Sequence, residues 1–348
     1  MCLVRALNTL QETGSFFNIQ NRTYELYTNY FTLPTATYLN MYESLSLDNG
    51  IIGSVTDWSL GENPGFALTN GVLKALGFSS QSFLMFYAVI TIGIYLWFIR
   101  KYTSNIWFSI FLFFTIGCYT FTLAAVKQCV AVAIALVGVD FALRKKWIPF
   151  VVFVLIAATF HPYALMFLFV PFMTYRPWST RGYVLLFLFL IIGFSLQQML
   201  GTLVDITTLL GEEYDAASFS GEGINPFRLA VCAVPLVLSF VGRKVIATES
   251  TKADNLIINL SILNAEIMFV GLFGTANYFG RLANYFSIYQ VLAIPWLMRI
   301  FTKRSSQLVT GCAVLGYSVY FYYANVINQT FDSGYSSISI FQYLQSLF

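Results

Sequence analysis

Apolar residues run in long stretches from residue 82 onward, and short polar or basic segments separate them. A helix of about 20 apolar residues crosses the hydrocarbon core of a bilayer. The pattern predicts ten such spans, several of them short. They cover residues 82–100, 105–121, 123–143, 147–160, 162–175, 182–200, 226–242, 255–273, 283–300 and 306–325. The chain is therefore predicted to be an all-α polytopic integral membrane protein.

The remaining segments are more polar and flank this transmembrane domain of residues 82–325. Residues 1–81 contain no apolar run of 18, so we expect an extracytoplasmic segment with interfacial helices and a further helix upstream of it. Within this segment, the apolar spacing from Ala36 to Leu47 predicts an amphipathic helix at the interface. Asn63-Pro64 as N-cap and first residue, and Gly77 after the last turn, predict a helix at 64–76. Residues 201–225 are rich in Gly, Ser and acids, which predicts a mobile external loop. Residues 326–348 are predicted to form an external tail.

Composition excludes the soluble classes. Hydrophobic residues make up 57% of the chain, charged residues 10%, and the mean hydropathy is +0.69, whereas soluble domains carry about 25% charged residues. Nucleic-acid binding is unsupported. The five cysteines show no C-x-x-C spacing and no His and carboxylate cluster has ligand spacing, so we expect no disulfide, metal or cofactor.

Basic residues indicate the orientation of the spans. Thirteen of the 19 Lys and Arg residues fall in five clusters, at 100–101, 144–146, 176–181, 243–252 and 299–304. Since about two spans fit between most neighbouring clusters, all five can share one face, which the positive-inside rule assigns to the cytoplasm. A single helix kinked at His161-Pro162 would separate two clusters, so the pattern favours a hairpin there.

Four lone basic residues lie far from these clusters, on four different spans: Lys127, His161, Arg228 and Arg281. The helical rise puts each about 22–27 Å above its nearest cluster, in one layer near the outer boundary. Three cations with one imidazole form a candidate anion site beside a candidate general base. A lipid-linked diphosphate would meet both groups.

Each of these residues also has a simpler interpretation. The three cations can extend to the outer headgroups, and His161 can cap a tight turn before proline. Glu266 is a mid-membrane carboxylate that either orients a site residue or only pairs with a cation. Asp140 is predicted to be structural, since Arg144 lies four residues further along the same helix.

Five short motifs stand out: LAAVKQCVAVAI at 123–134, the basic turn LRKK at 143–146, AATFHPYA at 157–164, GENPGF at 61–66 and YFGRLANYF at 278–286. These motifs resemble those of the EpsG-type and Wzy-like polysaccharide polymerases. Members of that family show an Arg-Gln pair opening a helix, a basic turn, an Ala-x-x-Phe-His segment, an early Glu-x-Gly-Phe segment and a late Arg-x-x-x-Tyr-Phe stretch.

The resemblance implies a multi-pass glycosyltransferase of the bacterial plasma membrane, with a GT-C-like architecture and its site facing outside. It would polymerise repeat units carried on undecaprenyl diphosphate into exopolysaccharide or capsule, without a cofactor and beside a flippase and a chain-length regulator. By matching motif, Lys127 and Gln128 occupy the Arg-Gln pair, while Glu62, His161 and Arg281 occupy the other positions. Lysine at 127 departs from the family pattern.

The predicted mechanism divides the work among these residues. Lys127, Gln128, Arg228 and Arg281 would bind the diphosphate, and His161 would deprotonate the acceptor hydroxyl. Arg281, Lys127 and Glu62 would take part in catalysis with His161. The supporting residues would be Glu266, Tyr278 and Tyr285. Two alternatives remain open: a transporter or flippase of an anionic or lipid-linked substrate, and a membrane acyltransferase.

Overall fold

A computed structural model describes residues 34–48, 50–51, 63–209 and 223–327. Within these ranges the chain is helical and contains no strand. The all-α prediction is therefore confirmed for the part of the chain that the structure describes.

The α-helices follow one another with short connections. They are α1 (Pro34–Glu43), α2 (Pro64–Ala75), α3 (Ser80–Tyr102), α4 (Ile106–Thr115), α5 (Cys118–Ala124), α6 (Val126–Leu143), α7 (Trp147–Phe160), α8 (Thr180–Ser195), α9 (Leu200–Leu209), α10 (Pro226–Cys232), α11 (Val234–Val241), α12 (Arg243–Glu249), α13 (Lys252–Val270), α14 (Ala276–Asn284), α15 (Ser287–Leu297) and α16 (Lys303–Tyr322). A long 3₁₀ helix, Pro162–Thr174, joins α7 to α8.

Three helices in the described ranges, α3, α6 and α13, are long and apolar enough to cross a membrane. The pair α4 and α5, bent by 48°, would make a fourth if it forms one span. Several other predicted spans correspond to shorter apolar helices, namely α7, the long 3₁₀ helix and α8. The chain is a membrane protein, and the number of ten spans stays a prediction.

Two predicted continuous helices are broken in the structure. The helix expected at 105–121 bends where Gly117 adopts a φ of 94°, a left-handed conformation that glycine accommodates easily. The helix expected at 226–242 breaks at Ala233, between α10 and α11. Pro235 has no N–H to offer the carbonyl of Val231, so the hydrogen-bond ladder cannot continue there.

The connection after α7 is a turn. The helix ends at Phe160, and His161 takes an extended conformation (φ −158°, ψ 119°), as the steric demand of a following proline requires. The long 3₁₀ helix then packs back against α7 and α6. These contacts support the hairpin over a single kinked helix.

Helices α6 and α7 approach each other closely along small residues of α6. Ala131 and Ala135 are fully buried. A Cβ atom added at Gly138 would come within 3.2 Å of the Phe150 carbonyl oxygen on α7. These small residues permit the close packing of α6 against α7.

The prediction of a helix at 64–76 is confirmed by α2, which ends in a Schellman motif. Gly77 has a φ of 80°; its N–H donates to Lys74, and the N–H of Phe78 donates to Leu73, both at 3.0 Å. Asn63 occupies the predicted N-cap position, but its side chain makes no capping hydrogen bond.

The interfacial helix predicted from Ala36 to Leu47 is α1, which ends earlier, at Glu43. Its Tyr42 is buried and stacks on Phe83 of α3, with ring centroids 4.3 Å apart. This helix therefore packs on the transmembrane helices rather than lying apart from them.

The predicted external loop contains ordered structure at both ends. Its first part is α9, and at its other end the Ile224 N–H donates to the Gly271 carbonyl at 2.8 Å. Ile224 is only 2% exposed. The residues between, 210–222, lie outside the described ranges, as do residues 1–33, 52–62 and the predicted tail from 328.

The structure joins the first two basic clusters. Asp140 is buried near the end of α6 and accepts hydrogen bonds from Lys101, from the Tyr102 hydroxyl at 2.5 Å and from Arg144 at 2.5 Å. The predicted pairing of Asp140 with Arg144 is thus confirmed. The additional partners come from the end of α3, so the basic ends of α3 and α6 lie side by side.

The other three basic clusters also lie together. The Trp178 indole N–H, beside Arg176 and Arg181, donates to the Ser239 hydroxyl at 3.1 Å. A Cβ atom at Gly242, which precedes Arg243, would meet the Ile300 side chain. Shared placement of basic clusters is what the positive-inside pattern predicts.

We expect Asp140→Ala to lower the free energy of unfolding by about 2 kcal/mol, because the buried carboxylate is the shared acceptor of three groups. Arg144 is half exposed and adds little to this value. Thermal unfolding in detergent micelles measures the loss. Glu249→Ala removes an exposed acid and serves as the control; equal melting of both variants would contradict the structural role of Asp140.

Candidate functional site

A small pocket lies where the beginning of α6, the end of α7 and the last turns of α14 meet. Its lining residues are Gln128, His161, Tyr163, Tyr278, Arg281, Leu282 and Tyr285. Three predicted catalytic or substrate-binding residues, Gln128, His161 and Arg281, therefore share one pocket with the predicted supporting residues Tyr278 and Tyr285. Separate parts of the chain supply them.

His161 reaches this pocket because α7 stops one residue earlier. The ring Nδ1 atom lies 2.7 Å from the Tyr285 hydroxyl. The Tyr163 ring is 5.6 Å from the imidazole, centroid to centroid. The only histidine of the chain thus faces aromatic and hydroxyl groups.

Arg281 is held through its backbone. The Gln128 side-chain amide donates to the Arg281 carbonyl oxygen at 2.7 Å. Two residues further along α14, the Ala283 carbonyl oxygen accepts a hydrogen bond from the Asn264 side-chain amide at 2.6 Å. The Gln290 side-chain amide donates in turn to the Asn264 side-chain oxygen. All three amide side chains are buried.

These bonds complete the end of α14. The last four carbonyls of a helix lack intrahelical partners. In α14 each of these carbonyl oxygens accepts a hydrogen bond. The Gln128 side chain donates to residue 281 and the Tyr285 N–H to residue 282. The Phe286 N–H and the Asn264 side chain donate to residue 283, and the Ser287 hydroxyl donates to residue 284. With every terminal carbonyl bonded, the last turn of α14 is fixed, while the Arg281 side chain remains exposed.

Lys127 lies next to the pocket and does not line it. Its ammonium group is 5.7 Å from the centroid of the Phe66 ring, and the Tyr38 hydroxyl interacts with its backbone. Lys127 and Arg281 are both close enough to His161 to interact with it electrostatically. Of the three predicted cations, Arg281 thus shares the pocket with His161, and Lys127 lies beside the pocket.

Arg228 approaches α14 from another side. Its guanidinium packs over Gly280, where an added Cβ atom would lie 3.3 Å from Nη1, and Nη2 is 3.5 Å from the Asn284 side-chain oxygen. Gly280 and Asn284 are one helical turn apart on the same face of α14. Arg228 is thus a neighbour of the Arg281 helix and not part of the pocket lining.

Glu266 is not brought to this pocket. It is 5% exposed and lies in a different pocket with Asn259, Tyr175 and Trp178. Two residues along α13 correspond to about 200° of rotation, so Glu266 and Asn264 face different neighbours. Glu266 does not line the His161 pocket, and its supporting role stays a prediction. Glu62 lies outside the described residues.

Sequence reasoning missed Tyr163 in the pocket and the buried amides Asn264 and Gln290 behind α14. Tyr163 had a local signal, since it directly follows His161-Pro162. Asn264 and Gln290 had a weaker one, as polar residues within apolar segments. Asn264 bonds to the backbone of α14, and Gln290 bonds to the Asn264 side chain. The sequence does not predict either partner.

The pocket lies at the opposite end of α6 from the basic turn. Sixteen residues separate Gln128 from Arg144, which corresponds to about 24 Å along the helix. This agrees with the height predicted for the polar layer above the basic clusters.

The arrangement combines a cationic fork, an imidazole and aromatic rings. A guanidinium binds phosphate oxygens in a bidentate manner, an imidazole exchanges hydrogen bonds with a hydroxyl or an oxyanion, and Tyr163 and Tyr278 offer ring faces and hydroxyl groups. The Tyr163 and Tyr278 rings meet edge to face at 6.1 Å. Such a site suits an anionic substrate with polar and apolar parts.

Comparisons with known proteins point the same way as the motifs. No curated protein matches the chain, and no solved structure matches it. The sequence model of the EpsG family matches residues 16–344, nearly the whole length. The chain belongs to the EpsG family.

Proposed function

We propose that this protein polymerises lipid-linked oligosaccharide repeat units at the outer face of the plasma membrane. EpsG is a Wzy-like polymerase family, and membership points to a polysaccharide polymerase in exopolysaccharide synthesis. In this proposal both donor and acceptor are glycans linked to undecaprenyl diphosphate. The chemistry of the His161 pocket supports this choice of substrate.

One observation carries the proposal: three family motifs that are distant in sequence converge on one pocket. Gln128 bonds to the Arg281 backbone across 153 residues, and His161 meets Tyr285 across 124 residues. The Arg-Gln position, the Ala-x-x-Phe-His position and the Arg-x-x-x-Tyr-Phe stretch thus contribute adjoining groups.

The proposed reaction transfers a growing glycan from its lipid diphosphate to a sugar hydroxyl of the next repeat unit. Negative charge develops on the leaving diphosphate, and a fixed cation aimed at this charge lowers the barrier. Arg281 is the principal candidate because the amide bonds fix its backbone and its side chain is exposed. Lys127 adds a point charge, and Arg228 supports α14 from its other side.

The orientation belongs to the same proposal. The pocket and the basic turn lie at opposite ends of α6, so a cytoplasmic basic turn puts the pocket on the outer side. There it would meet repeat units that have already crossed the membrane, which a flippase would supply and a chain-length regulator would act on.

Purified protein in liposomes with a lipid-linked oligosaccharide tests the function directly. We expect products that grow by whole repeat units, with release of lipid diphosphate. Movement of the substrate across the bilayer without a change in glycan length would instead indicate a transporter or flippase. Incorporation of an acyl label into the product would indicate an acyltransferase.

A further inference from the structure

The hydrogen bond between Tyr285 and His161 determines which imidazole nitrogen carries the proton. The Tyr285 hydroxyl lies 2.7 Å from Nδ1, and the Tyr285 side chain is 1% exposed. Tyr285 directly follows α14, whose last turn is fixed by Gln128 and Asn264. The phenol therefore occupies a defined position beside the ring.

The acidities of the two groups indicate the direction of this bond. A phenol is a far stronger acid than a neutral imidazole N–H, and an imidazole nitrogen is a far stronger base than a phenol oxygen. The favoured arrangement is therefore Tyr285 O–H donating to Nδ1. A neutral imidazole that accepts at Nδ1 carries its own proton on Nε2.

The surroundings of His161 also disfavour a role as base. A base becomes positively charged when it takes a proton, and Arg281, which shares the pocket with His161, opposes a further positive charge there. Within the described ranges no carboxylate forms an ion pair with His161, and Glu266 lies in a different pocket.

We propose that His161 acts through Nε2–H as a hydrogen-bond donor to the leaving diphosphate, and that Tyr285 is the positioning residue that selects this tautomer. The inference rests on the proposed polymerase function. It replaces the general base expected from the sequence with an electrostatic role of the kind that backbone donors perform in oxyanion holes.

The transfer step balances without a base from the protein. The acceptor hydroxyl oxygen forms a bond to the anomeric carbon of the donor glycan. The bond from that carbon to the diphosphate oxygen breaks, and its electron pair stays on the diphosphate. The hydroxyl proton passes to an oxygen of the departing diphosphate, while Nε2–H and Arg281 bind the developing charge.

Two partly isosteric substitutions of His161 separate the hydrogen-bond donor role from the general-base role. The side-chain nitrogen of glutamine lies near the position of Nε2, and that of asparagine lies near Nδ1. We expect His161→Gln to polymerise at least about 10-fold faster than His161→Ala, as a retained donor would allow. His161→Asn should match His161→Ala, since its amide faces Tyr285.

A double-mutant cycle tests the positioning role of Tyr285. Tyr285→Phe should lower kcat by about 10-fold in the wild-type protein and have no further effect in the His161→Ala background. A purely structural role of Tyr285 would reduce activity equally in both backgrounds and would overturn the assignment.

Two further outcomes would overturn different parts of the proposal. If the wild-type protein extends glycans but His161→Gln is as inactive as His161→Ala, the donor role is wrong and the base role stands. If the wild-type protein itself fails to extend lipid-linked glycans, the polymerase proposal fails, and the role of His161 in it fails as well.

Discussion

Arg281→Ala is expected to reduce polymer formation at least about 100-fold, the loss typical when one preorganised charge-stabilising group is removed from an active site. The variant should still fold, because the Arg281 side chain is exposed and its carbonyl bond to Gln128 does not depend on the side chain. Polymer length and amount at equal protein level, measured in liposomes, provide the check.

Matched variants separate the charge from its geometry. Arg281→Lys keeps the positive charge but loses the bidentate fork, so we expect partial activity between that of Arg281→Ala and the wild type. Arg243→Ala removes an exposed arginine from a basic cluster and should leave polymerisation unchanged. Normal polymer from Arg281→Ala would exclude this residue from the substrate site.

Asn264→Leu is expected to destabilise the protein by about 3 kcal/mol and to lower activity as well. The substitution removes the bond to Ala283 and leaves the fully buried Gln290 amide without its acceptor, and buried unpaired polar groups are costly. It also loosens the turn that carries Arg281. Chemical or thermal unfolding in micelles measures the first effect, and kcat measures the second.

The Gln290→Leu variant completes a thermodynamic cycle with Asn264→Leu. Asn264→Leu leaves the Gln290 side-chain N–H without its acceptor, and Gln290→Leu leaves the Asn264 side-chain oxygen without its donor. The double change removes both of these groups. We therefore expect the double variant to be more stable than the sum of the single losses predicts, by about 1 kcal/mol or more. Strict additivity would show that the two amides do not act as one unit.

Local chemistry made part of the fold readable from the sequence. Gly77 predicts the end of α2, and Pro162 predicts the end of α7, because each restricts its own backbone or that of the preceding residue. The i,i+4 spacing predicts the pairing of Asp140 with Arg144. These features depend only on residues close together in the chain.

Hydropathy was less informative about helix continuity. The breaks at Gly117 and Ala233 lie inside apolar runs, and an average over such a run does not register a single backbone conformation. The ordered helix α9 in the predicted external loop was missed for a related reason, since its neighbouring Gly, Ser and acidic residues dominate the composition of that stretch.

The sequence identified most residues of the candidate site but not the directions in which their side chains point. Lone cations and one histidine in apolar spans are costly and therefore stand out, which selected Lys127, His161, Arg228 and Arg281. Height along a helix follows from residue number, but the direction in which a side chain points depends on packing. For that reason Arg228 and Glu266 share the general region without lining the pocket.

The sequence by itself determined that the chain is a helical membrane protein, the end of the molecule at which its lone polar residues gather, and its resemblance to the EpsG family. Those conclusions follow from hydropathy, charge spacing and local motifs. Only the tertiary structure decided that Tyr285 bonds to His161 and that Gln128 and Asn264 fix α14. Such partners lie up to 153 residues apart, and only the packing of α6, α13 and α14 brings them within hydrogen-bond distance.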